Sequence, residues 1–135
     1  MEEQFNCLSI KFIFVCEDFK ELNSLLSELN GLDYKNQKIQ HVNSIFQFIE
    51  SMTGKIKVSS DANIIAKACH LMKQLLNKQK VSLPEQISIK VVQWIVRCCE
   101  TKSLDLFFCE AIDVLTLLFK GNRVAARKVS LSFHF

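Results

Sequence analysis

Only four positions in this 135-residue chain are glycine or proline: Gly31, Gly54, Pro84 and Gly121. β-Sandwiches and barrels need turn formers every few residues, because each short strand must reverse. A chain this poor in them has to run in long segments with few joints, and the segments that do so are helices. Length supports one domain, and 49% hydrophobic residues supply a substantial core. The expected fold class is all-α.

The apolar spacing fills in the helices. Phe5, Leu8, Phe12, Val15, Phe19, Leu22, Leu26 and Leu29 recur in steps of three and four, the period of one helical face. Leu8, Ile10, Phe12 and Phe14 also alternate as a strand would, but the helical stripe continues unbroken to Leu29, and Asn30-Gly31 stops it. A second helix is expected from about Lys35 to Met52, closed by Gly54. Ser60 or Asp61 caps a third, which buries Ile64, Ile65, Ala68, Cys69, Leu71, Met72, Leu75 and Leu76. Asn77–Val81 reads as a polar joint. Ser82-Leu83-Pro84-Glu85 has the form of a capping box, with Pro84 in the first turn where no amide donor is needed. The helix it opens buries Trp94 and ends near Thr101.

Ser103–Gly121 reads as a helix apolar over most of its circumference, capped by Ser103 and closed by Gly121. A helix of that kind lies between neighbours, so it is expected to be the centre of the molecule, with Phe107 inside. Asn122 opens a sixth helix, and residues 129–135 form an irregular tail. That helix is short, so the chain is expected to be part of a longer helical-repeat protein, able to self-associate through an exposed C-terminal end.

The starts are regularly spaced. Glu17, Ser60 and Ser103 lie 43 residues apart, and the same shift carries Leu25 to Ala68 and Ala111, and Leu29 to Met72 and Leu115. Periods of roughly 40–47 residues with two helices per unit are those of HEAT and armadillo repeats. The segment CEAIDVLTLLFKGNRVAARKV resembles the inner helix of an armadillo-type repeat running into its successor, with Ala111, Leu115 and Leu118 in the core places and Gly121-Asn122 at the turn. The resemblance implies antiparallel helix pairs stacked as a short α-solenoid of five or six helices, with an irregular bundle as the alternative. It implies no catalytic residues and a role in binding other proteins. The Phe- and Cys-rich texture is also similar to helical-repeat proteins of meiotic double-strand-break formation, which implies a nuclear scaffold in recombination.

The residues offer little for chemistry. Cys69-His70 and Cys98-Cys99 are adjacent pairs that point to different helix faces, without the paired short spacings of a metal site. His41, His70 and His134 mark no nucleophile–base dyad, and Glu110 and Asp113 read as the solvent edge of their helix. No enzyme activity, metal or cofactor is expected. The six cysteines read as reduced, core-packed thiols, since they follow helical patterns and Glu2 and Glu3 stand where a secretory signal carries basic residues. No run approaches the roughly 18 apolar residues of a membrane span. A soluble intracellular protein, nuclear rather than cytoplasmic, is the expectation.

Charge is unevenly placed within a formal net of +3. Residues 1–31 hold six acids against Lys11 and Lys20, whereas residues 55–82 hold six lysines against Asp61. A basic surface of Lys55, Lys57, Lys73, Lys78, Lys80, Arg123, Arg127 and Lys128 is the candidate contact site. Lysines without interleaved aromatics usually form a solvated face, so a protein partner is the leading expectation and nucleic acid the alternative.

Overall fold

The computed structural model describes residues 1–14, 18–58, 60–101 and 108–120. Among these, six helices occur and no strand: α1 Glu2–Phe14, α2 Phe19–Asn30, α3 Val42–Lys55, α4 Ala62–Lys73, α5 Glu85–Thr101 and α6 Phe108–Lys120. α4 continues into a wider π-helical turn, Gln74–Lys78. The all-α expectation holds.

The helices pack in two rows. α1, α3 and α5 contact one another in that order, as do α2, α4 and α6, and α1 touches α2 while α5 touches α6. The first row is built on aromatic contacts: Phe48 of α3 meets Phe5 and Phe12 of α1 at ring-centroid distances of 5.7 and 5.1 Å. Phe5, Ser9 and Phe12, the buried residues of α1, lie on one helical face.

In the second row, α2 and α4 begin in the same way. Asp18 and Asp61, 43 residues apart, are the N-caps of α2 and α4, and each carboxylate accepts from the amide two residues on, Lys20 N at 3.3 Å and Asn63 N at 2.7 Å. α2 buries Leu26 and Leu29, whose equivalents one period later are Cys69 and Met72. α6 buries Ala111, Val114 and Leu118, whose equivalents one period earlier are Ala68, Leu71 and Leu75. α4 and its π-helical turn bury both sets.

The central helix is therefore α4, not Ser103–Gly121. Phe108 and Ile112 of α6 remain 46% and 44% exposed, on a part of the helix that its contacts with α4 and α5 do not cover. Ser103, Phe107, Gly121 and the sixth helix expected from Asn122 lie outside the described residues.

Other boundaries shift for local reasons. The stripe expected to run unbroken to Leu29 is divided into α1 and α2, with Asp18 capping the second. α3 starts at Val42 rather than Lys35, because the preceding loop gives its backbone groups to other partners. Glu2 of α1 accepts from Gln40 N at 2.8 Å, His41 N at 2.9 Å and the His41 ring at 3.1 Å. His41, the N-cap of α3, supplies no side-chain cap of its own, so a carboxylate from the neighbouring helix occupies the positive end of α3. Gly54 lies inside α3, which runs on to Lys55. Pro84 precedes α5, and its carbonyl accepts the first helical hydrogen bond from Ser88 N, so the cap sits at Pro84 and not at Ser82.

Asn77–Val81 is more than a polar joint. Lys80 takes a left-handed φ of 54°, and Val81 N and Lys80 N donate to the Leu76 and Asn77 carbonyls, the bonding of a Schellman turn. The turn fixes Gln79, only 6% exposed, against the loop between α2 and α3. Its amide donates to Tyr34 O at 2.7 Å and Gln37 O at 2.6 Å, and its oxygen accepts from Ile39 N at 2.8 Å. Trp94 is buried as expected, donating to the Ile56 carbonyl at the end of α3 at 2.6 Å. Cys69 and Cys98 are buried thiols, while Cys7 and Cys109 are exposed rather than core-packed, and Cys99 is intermediate.

The cap by Glu2 carries a pH signature. Bonds from the His41 backbone and ring hold its carboxyl below the ordinary 4.5. A carboxylate with a lowered folded pKa stabilises above its unfolded pKa, and the contribution disappears as pH falls through the folded value. Glu2→Gln is expected to lower the melting temperature near neutral pH, and the gap from the unmodified chain should close as pH falls below about 4.5. Thermal melts followed by circular dichroism across that range check this.

Candidate interaction surface

The α2–α4–α6 row presents polar side chains that reach from each helix to the next. On α4, Lys67, His70, Lys73 and Gln74 recur at steps of three or four and so share one face. Toward α2, Lys67 Nζ donates to Asn23 Oδ1 at 2.6 Å and Ser27 Oγ at 2.9 Å. Asn30 Nδ2 donates to the Lys67 carbonyl at 3.2 Å, and Gln74 Nε2 returns a bond to Asn30 Oδ1 at 3.0 Å. Toward α6, His70 Nδ1 faces Glu110 Oε2 at 3.3 Å, and Lys73 Nζ sits 2.8 Å from Asp113 and 3.8 Å from Glu110. The bond to Asp113 and the nearby Glu110 charge raise the Lys73 pKa and keep its ammonium charged.

Between the three helices lies an open recess of about 460 Å³ lined by Ser27, Asn30, Ala66, Lys67, His70 and Glu110. That is within the ~300–1,000 Å³ of ordinary ligand clefts; every lining residue but Ala66 carries a polar group, while aliphatic and ring atoms supply most of the exposed lining.

The expected basic surface divides. Lys57, Lys78 and Lys80 are exposed and Lys55 is half-buried. The length of α4 and its π-helical turn, about 25 Å, separates Lys55 and Lys57 from Lys78 and Lys80. Lys73 belongs to the ion pair with Asp113. Arg123, Arg127 and Lys128 lie outside the described residues. Glu110 and Asp113, read from the sequence as a solvent edge, are half-exposed and also bridge α6 to α4. The signal that points to them is present in the sequence: His70 and Glu110, and Lys73 and Asp113, are complementary groups 40 residues apart, close to one repeat.

Among the described residues no three His, Cys, Asp or Glu side chains gather as a metal-binding group, and no helix is long and apolar enough to cross a membrane. Burial pushes the Cys69 thiol up, and the Tyr34 hydroxyl likewise. In comparisons with known proteins, no family model, curated protein or solved structure matched the chain.

The Lys73–Asp113 pair is half-exposed, so its coupling should be small. A double-mutant cycle with Lys73→Met and Asp113→Asn is expected to give about 0.5 kcal/mol in low salt. Chemical denaturation with urea measures it, and the coupling should fade near 1 M salt as the charges are screened.

Proposed function

We propose that this chain is a non-enzymatic scaffold, a short α-solenoid that binds a partner protein across its α2–α4–α6 face. The observation that carries the reading is the sequence separation of its long-range hydrogen bonds. From Glu2–His41 through Gln79–Tyr34 to Lys73–Asp113, those between helical units span 37 to 45 residues. Each unit is thus tied to the next one by bonds of a single period, as in a stack of repeats. Stacked repeats leave one helix of every pair facing outward in a continuous row. A long row suits an extended or helical segment of another protein.

A second reading, nucleic-acid binding, draws on the exposure of Lys57, Lys78 and Lys80. Phosphate contacts of that kind weaken steeply with salt, because each releases a counterion.

A photo-reactive benzoyl-phenylalanine at position 66, in the recess, and another at position 57 separate the two readings. Irradiated in cell extract, position 66 is expected to yield discrete protein adducts that survive nuclease treatment. Adducts confined to position 57 and removed by nuclease would favour the second reading and contradict the first.

A further inference from the structure

Lys67 stands out on the proposed face because two neutral acceptors, and no carboxylate, hold its ammonium. Its ammonium is held at 2.6 Å by the Asn23 carboxamide oxygen and at 2.9 Å by the Ser27 hydroxyl, both neutral. Among the described residues no carboxylate approaches it within salt-bridge distance, whereas Lys73, His70 and Lys90 each meet one. An ammonium has three donors, and these two bonds leave the third. The two bonds also fix the long side chain in place, so less rotamer entropy remains to be lost when a ligand arrives. The group therefore lines the recess as a positioned, unneutralised cation.

We propose that the recess takes an acidic segment of the partner protein, with an aspartate or glutamate side chain seated on Lys67. The inference rests on the scaffold reading above. Three features favour a peptide carboxylate over a phosphate backbone. Lys67 is a single cation, matched to a single anion. Glu110 in the same recess is already engaged by His70 and Lys73, so no row of free cations runs there for a phosphate backbone to follow. Aliphatic atoms supply most of the exposed lining, which suits the hydrocarbon part of a peptide better than a phosphate chain. The recess thus suits a segment that carries one acid.

The probe is a displayed library of random 12-residue peptides selected on the full chain, followed by fluorescence anisotropy of labelled winners. Selected peptides are expected to share an Asp or Glu, and changing it to Asn or Gln should weaken binding about tenfold. Lys67→Met should weaken binding by a similar factor, with no further loss when the peptide acid is also removed. Lys67→Arg should retain most of the affinity. A charge swap, Lys67→Glu with a lysine in the peptide, should restore binding, and it reports on the contact even if Lys67→Met lowers stability. Winners without a shared acid, or with unchanged affinity for Lys67→Met, overturn the proposal while leaving a scaffold that binds elsewhere. Displacement of the peptide by a labelled 20-nucleotide single strand, with steep salt dependence, overturns it in favour of phosphate recognition. A selection that yields no binders counts against this site and the scaffold reading together.

Discussion

One buried carboxamide joins the first helical unit to the second. The loop between α2 and α3 has backbone groups that no helix or sheet satisfies, and burying them unpaired would cost about 1–3 kcal/mol each. Gln79 reaches them from one repeat later and meets three, two carbonyls and one amide. Tyr34 adds to the same joint by donating to the Leu29 carbonyl at 2.6 Å. The loop is therefore held both by its own turn, in which Asn36 donates to the Asp33 carboxylate, and by the neighbour that supplies Gln79. Trp94 plays the corresponding part at the next joint, satisfying the Ile56 carbonyl that ends α3.

This mode of assembly explains why α4 is the most enclosed helix. A helix inside a row buries two faces, one on each neighbour, while a helix at an end of the described row buries one. α2 buries Leu26 and Leu29, α6 buries Ala111, Val114 and Leu118, and α4 with its π-helical turn buries the equivalents of both sets. The polar side chains on the remaining surface bond across the row, which holds the face in a defined arrangement. Pre-organisation of that kind lowers the entropy lost on binding.

Much of this was legible in the residues. The 3.6-residue period located the helices, and the 43-residue step emerges in the structure as the spacing of the caps Asp18 and Asp61. What the periodicity does not contain is which of two similar apolar helices is central. Ser103–Gly121 is the more hydrophobic stretch, yet Phe108 and Ile112 stay exposed, because burial depends on the number of neighbours and not on composition alone. Gln79 was hidden for a different reason: a glutamine among Asn, Lys and Val looks like a solvated joint until the left-handed turn at Lys80 places it against a loop 40 residues away. Lys67 was legible as a charge but not as an unneutralised one, since Asn23 and Ser27 carry no sign that they hold it. The bridge from α4 to α6 was available in principle, through complementary groups one repeat apart.

The central claim is that the units are locked together through Gln79, and amide hydrogen exchange at Ile39 tests it most directly. Ile39 N donates to the Gln79 side chain, while Lys38 beside it is exposed. The account predicts that Ile39 exchanges slowly, near the rate of amides inside α3, while Lys38 exchanges fast, and that Gln79→Ala removes the protection of Ile39 while α3 keeps its own. If Ile39 exchanges as fast as Lys38 in the unmodified chain, the loop is not held by Gln79 and the account of the joint is wrong.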